Sequence, residues 1–223
     1  MVTAGPTHEK IDPIRFIGNY SSGKMGYAIA EELAERGATV YLVSGPVALN
    51  PVHPAIQKIA VTSAEEMYRQ AVNLFPKVDG AVMSAAVADF RPVAQANEKV
   101  KRGKENYFIE LKPNPDIAAK LGTIKTKDQI LVGFALETQN ERANALDKLK
   151  KKGLDFIVLN SLNDAGAGFQ TDTNKITIID KYTKTFNFEL KSKRMVAKDI
   201  VNHIVLTMEE HLDDHLADVN QSE

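Results

Sequence analysis

Five apolar runs rich in β-branched and small residues alternate with stretches of helical periodicity, and this alternation restricts the fold more than any other feature of the chain. The runs are "VTAG" at 2–5, "ATVYLVSG" at 38–45, "DGAVMSA" at 79–85, "QILVGFAL" at 129–136 and "DFIVLN" at 155–160. Unbroken apolar character means burial on both faces, as in parallel strands inside a sheet. Amphipathic stretches lie between them at about 22–36, 63–75, 115–122 and 139–153. Gly37 and Gly153 close the first and last of these, the usual residue beyond a helix end. Strand, helix, strand repeated in this way predicts an α/β fold with a doubly wound, mainly parallel sheet. Ligands are then expected outside the carboxyl ends of its strands.

Two regions break the rhythm. Residues 92–112 begin at Pro92, pass through the charge run "EKVKRGKE" and finish in the alternating "NYFIEL", which reads as a mobile flap followed by a strand. "NKITIID" and "KTFNFEL" flank "KYT" as a β-hairpin expected beyond the main sheet, an antiparallel appendage of the kind that often pairs with another subunit. An amphipathic helix is expected at about 193–210, before a polar, frayed tail at 211–223. With 223 residues, the reading is one domain over 1–210. "MVTAG" enters a buried strand with almost no lead-in, as expected of a domain cut from a longer polypeptide.

Charge and composition narrow the function classes. Lys and Arg number 28 against 29 Asp and Glu, a net charge of −1, so neither a nucleic-acid duplex nor an anionic membrane is expected as a partner. No run reaches membrane-spanning length. The absence of cysteine excludes disulfides, thiolate zinc sites and a cysteine nucleophile, and fits a cytoplasmic protein.

"GNYSSGKM" at 18–25 meets the phosphate-cradling pattern G-x-x-x-x-G-K-[ST] at all but its last position. Methionine there is a poor ligand for magnesium, and Pro6 and Pro13 fill the approach where a strand should run straight into the loop. The Tyr20-x-x-x-Lys24 spacing of short-chain dehydrogenases falls too early in the chain. Because the segment joins the first strand to the first helix, Arg15, Asn19 and the amides of Ser21, Ser22, Gly23 and Lys24 are candidates to bind an anion; the alternative is a serine cap with a solvated arginine. In "SAAVADFRP" at 84–92, small residues allow close approach of a ring, and Asp89 is either a ribose acceptor or a turn residue. Lys99 lies in a charge run that composition alone reads as solvated. Lys148 and Lys152, at i and i+4, either share an anion or form an exposed helix end. His211 and His215 have the same spacing but lack a second ligand pair, so they are not read as a metal site.

In order, "VTAGPTHEKIDPIRFIGNYSSGKMG", "SAAVADFRP", "NEKVK", "KPNPDI", "VGFALET" and "NSLNDAGAGFQTDTN" resemble the bacterial phosphopantothenoylcysteine synthetases of coenzyme A biosynthesis, a likeness running from Val2 to about Leu206. The resemblance implies a Rossmann-like, CTP-dependent ligase. The carboxylate of 4'-phosphopantothenate would attack CTP to give an acyl-cytidylate and pyrophosphate, and L-cysteine would then displace CMP. It further implies a cytoplasmic homodimer paired near 107–112 and 175–190, and, in many relatives, fusion behind a flavin-dependent decarboxylase.

Carried over by position, the resemblance makes Asn19 and Lys99 catalytic, with Asn19 donating to the acyl oxygen and Lys99 neutralising the triphosphate. Arg15, Asn19, Ser21, Ser22, Gly23 and Ala86 would hold phosphopantothenate. Met83, Ser84, Ala85, Asp89, Lys99, Lys112, Pro113, Asn114, Pro115, Phe134, Lys148 and Lys152 would hold CTP. Mg2+ would be bound largely by the phosphates, with no protein ligand assigned. Pro6 departs from the "TAGGT" form of many relatives, a stiffening expected to be tolerated. Two other classes share this sheet: a dinucleotide-dependent oxidoreductase, although no G-x-G-x-x-G follows the first strand, and a nucleotide-binding module without turnover.

Overall fold

The structure is a computed structural model that describes residues 1–103, 105–137, 139–161 and 171–220. Val2–Ala4 forms β1, and a hairpin of β2 (His8–Lys10) and β3 (Phe16–Gly18) precedes α1 (Lys24–Glu35). β4 (Val40–Ser44), β5 (Ile56–Ala60), α2 (Ala64–Leu74) and β6 (Gly80–Met83) follow. β7 (Phe90–Pro92) and β8 (Leu111–Pro113) bracket the flap, ahead of α3 (Ile117–Ile124), β9 (Ile130–Glu137), α4 (Glu141–Lys151) and β10 (Phe156–Ser161). The chain then forms β11 (Thr173–Asn174), β12 (Ile176–Asp180), β13 (Thr185–Asn187), β14 (Lys191–Ser192) and α5 (Lys193–Asn220).

The main sheet has the order β13-β12-β10-β9-β6-β1-β4-β5. From β5 to β10 every pairing is parallel, and the direction of winding reverses between β1 and β6. That is the doubly wound arrangement the alternation predicts. Alternate side chains of each strand enter opposite cores. In β9, Ile130 and Val132 pack with Ile29 of α1 and Ile200 of α5, while Leu131 and Ala135 pack with Met67 of α2, Leu121 of α3 and Leu149 of α4.

Four details differ from the expectations. The 176–187 hairpin is not beyond the main sheet: β12 pairs antiparallel with β10 from Phe156↔Asp180 to Asn160↔Ile176, and β13 forms the edge. It extends the sheet because Ile176, Ile178 and Ile179 have core to fill on both faces. "NYFIEL" is a strand only from Leu111, where β7 supplies a partner; Tyr107 and Phe108 are exposed. The last helix does not end near 210 but runs to Asn220, since no glycine or proline interrupts the stretch. β5 was not expected, because Gln57 and Lys58 interrupt its apolar character, as an edge strand allows.

Candidate active site

The switch point between β1 and β6 opens into a cavity of about 430 Å³ at the carboxyl ends of the strands. Its walls come from the α1 entry loop, the 83–89 strand end, the start of α3, the carboxyl half of β9, and Lys148 and Lys152 from the end of α4.

The entry loop is held by close backbone packing. Gly23 precedes α1 with φ 77°, a left-handed conformation that glycine adopts without strain. A Cβ on Gly26 would lie 2.6 Å from Ala4 Cβ, so only glycine lets the first turn of α1 sit directly on β1. Ser21 Oγ accepts from Gly23 N at 3.3 Å, shaping the loop before the helix. β3 does lead into this loop, but as half of a hairpin outside the main sheet, which is not the context of a nucleotide P-loop.

The facing wall is fixed by threonines. Thr3 Oγ1 accepts from Ala85 N at 3.2 Å, and Thr7 Oγ1 from Ala88 N at 3.0 Å. Ala86 N donates to Gly5 O at 2.9 Å, and Asn19 Nδ2 donates to Ala86 O at 2.9 Å. Asn19 is thereby anchored at the rim beside Ala86, though it does not line the cavity itself. Asn114 reaches the same wall: its Nδ2 donates to Ala88 O at 2.8 Å, and its Oδ1 accepts from Arg91 at 2.8 Å.

Of the expected residues, Ser21, Ser22, Gly23, Met83, Ser84, Ala85, Ala86, Asp89, Asn114, Pro115, Phe134, Lys148 and Lys152 line this one space. Arg15, Asn19, Lys99, Lys112 and Pro113 do not, and all five are exposed. Arg15 binds the Asp12 carboxylate and Val100 O rather than facing the cavity. Within "VGFALET", Thr138 lies outside the described residues, as do positions 162–170 of "NSLNDAGAGFQTDTN".

The cavity lysines meet separate carboxylates. Lys148 Nζ donates to Glu137 at 2.6 Å, Lys152 lies 3.0 Å from Asp116, and Lys24 lies 2.6 Å from Asp172. Burial pushes the Glu137 carboxyl upward, but hydrogen bonds from Lys148 and Asn144 outweigh it and leave the group below its ordinary range. Lys24 holds the Asp172 carboxyl low in the same way. The Lys24–Asp172 and Lys152–Asp116 pairs have open carboxylates and contribute about 0–1 kcal/mol each, so an incoming anion can exchange with them at little cost, whereas Glu137 is mostly buried and holds Lys148 more firmly.

Thr3, Lys24, Asn160, Asn174 and Lys193 also line the cavity, and none had been assigned a ligand role from the sequence beyond the Lys24 amide. Lys193 is buried, and burial, then the like charge of Lys24, pushes its ammonium pKa down. Asn160 and Asn174 are the first and last residues of the "NSLNDAGAGFQTDTN" motif, which was given no ligand role, whereas Lys193 sits in no pattern of its own. His211 does not lie in a free tail: its Nε2 is 3.5 Å from Asp155 Oδ1. Among the described residues, no group of three or more His, Asp or Glu side chains could hold a metal ion, and no helix is long and apolar enough to cross a membrane.

Known proteins share this architecture. The chain is 54% identical over 204 residues to a cysteine/cysteine sulfinic acid decarboxylase from an unknown prokaryotic organism, covering 92% of this chain and 57% of that protein. It is 43% identical over 204 residues to the coenzyme A biosynthesis bifunctional protein CoaBC of Haemophilus influenzae, covering 92% of this chain and 50% of the relative. The chain thus spans about half the length of the relatives it matches. The crystal structure of the C-terminal domain of a coenzyme A biosynthesis bifunctional protein CoaBC superposes with a TM-score of 0.79 at 40% identity, covering 94% of each chain. The model of the DNA/pantothenate metabolism flavoprotein C-terminal domain matches residues 1–207, and the chain belongs to that family.

Proposed function

We propose that the chain is a phosphopantothenate–cysteine ligase of coenzyme A biosynthesis that uses CTP. The observation that most supports this reading is the convergence, in one cavity at the switch point, of the α1 entry loop, the 83–89 strand end, Phe134, Lys148 and Lys152. A volume of about 430 Å³ lies within the range of roughly 300–1,000 Å³ usual for small-molecule sites.

In this reading a carboxylate oxygen of 4'-phosphopantothenate attacks the α-phosphorus of CTP. The bond to the bridging oxygen breaks, and pyrophosphate leaves with the electron pair. The amine of cysteine then attacks the acyl carbon, CMP departs, and the ammonium proton is lost to solvent. Backbone at Met83–Ala85 with Phe134 would take the base, Asp89 the ribose, and Lys148 and Lys152 would exchange their carboxylates for ligand. Asn19 uses one N–H on Ala86 O, and its second N–H is the donor proposed for the acyl oxygen. Magnesium would ride on the phosphates and neutralise their charge.

The decarboxylase name carried by the 54%-identical relative supports a second reading, in which cysteine or its sulfinic acid is the substrate and CO2 the product. Product analysis separates the two. Pyrophosphate release that requires phosphopantothenate and favours CTP over ATP is expected, with no CO2 formed from cysteine. Equal efficiency with both nucleotides removes the CTP assignment, and CO2 release without pyrophosphate favours the second reading. Without cysteine, rapid-quench release should stop near one equivalent per site. Asn19→Ala should slow that burst roughly a hundredfold to a thousandfold, with CTP binding retained.

A further inference from the structure

The loop that carries Lys99 is tied at both ends to the turn at 11–15. Asp12 has a fully buried side chain, and its Oδ1 accepts from Ile14 N and Arg15 N at 2.8 Å each. Its Oδ2 accepts from Arg15 Nε at 3.0 Å, from Arg15 Nη2, and from Val100 N at 3.2 Å. The same Nη2 donates to Val100 O at 2.7 Å. One Asp–Arg pair therefore holds both backbone polar groups of Val100. On the other side of the lysine, Ala96 N donates to Ile11 O at 2.9 Å. Lys99 lies between these ties with its side chain exposed.

A carboxylate with five N–H donors cannot reorient without abandoning several bonds together, which makes it a stiff anchor. Hydrogen bonds from Arg15 hold its carboxyl well below the usual range against the opposing effect of burial, so the anchor is charged at neutral pH. The exposed flap would otherwise sample many positions, and a lysine acts on a ligand only when its root is placed within reach.

We infer that Asp12, acting through Arg15 and Val100, is a positioning residue for Lys99. The role of Lys99 rests on the ligase reading; the tether does not. If the cluster only staples the 11–15 turn, loss of Asp12 costs the same whether residue 99 is Lys or Gln. If it positions the lysine, the two losses do not multiply.

The test compares wild type, Asp12→Asn, Lys99→Gln and the double variant. It reads pyrophosphate release with phosphopantothenate, CTP and magnesium, trypsin cleavage after Arg102, and thermal melting. Asp12→Asn is expected to lower kcat about tenfold with KM for CTP nearly unchanged, and to lower it less than twofold in the Lys99→Gln background. Cleavage after Arg102 should be about tenfold faster in Asp12→Asn, because the flap is released. Should Asp12→Asn fail to fold, Arg15→Lys keeps a positive charge beside Asp12 but removes the planar fork that also holds Val100 O, and the same non-additive pattern is expected. Losses that multiply in both backgrounds overturn the inference. If no protein, wild type included, releases pyrophosphate, the ligase reading fails and cleavage alone decides the tether: unchanged cleavage overturns it, and faster cleavage supports it.

Discussion

Lys125 and Asp155 illustrate how one buried pair can close several structural gaps. Asp155 is 3% exposed, and its Oδ2 accepts from Lys125 Nζ at 2.7 Å and from Leu131 N at 2.7 Å. A carboxylate this deep is tolerable because these donors reach Oδ2, with His211 Nε2 a further 3.5 Å from Oδ1. Lys125→Met leaves the charge buried with one partner fewer, and urea denaturation should show a loss of roughly 3 kcal/mol. At the same scale, the i, i+4 spacing of Lys148 and Lys152 was legible, and both do line the cavity. What the spacing did not carry was that one faces Glu137 and the other Asp116, since those carboxylates come from β9 and from the N-cap of α3.

Among the elements, α5 carries a group that links packing to pH. His203 lies edge-on to Phe156 and Phe186, with ring centroids 4.6 and 4.9 Å away. Burial lowers its pKa from 6.5; Asp180 and Glu210 oppose the shift and Lys184 adds to it. The folded chain therefore favours neutral His203, while the unfolded chain takes up a proton near pH 6.5. The resulting stability is present above that pH and lost as pH falls through the lowered value. His203→Gln is expected to flatten stability between about pH 7 and 5 relative to wild type, as read by denaturant titration across that range. A second element-level test concerns α1: Gly26→Val places carbons against Ala4 and Thr3 and should lower stability by roughly 1–3 kcal/mol, measurable by thermal melting.

For the molecule as a whole, several aromatic side chains in the flap and on the elements next to it are exposed. Phe16, Phe90, Tyr107 and Phe108 are 50%, 51%, 58% and 85% exposed, on the β2–β3 hairpin, on β7 and on the approach to β8. Exposed aromatics in neighbouring elements are a surface that favours a partner. We propose that this surface forms part of a homodimer contact that includes 107–112. Light scattering should give twice the monomer mass, and Phe108→Glu should shift it to the monomer. A wild-type monomer at micromolar concentration would end this proposal.

The sequence by itself determined the class of sheet, five of its parallel strands, the helices between them and the place of the α1 entry loop. Each of these is set by periodicity and turn chemistry within a short window of residues. Only the tertiary structure decided that Lys24 meets Asp172, 148 residues away, that Lys193 and Asn174 share the cavity with Phe134, and that the late hairpin completes the main sheet. These neighbours depend on strand order and on how α1 and α5 pack across one face, and such long-range contacts leave no periodic trace in the chain.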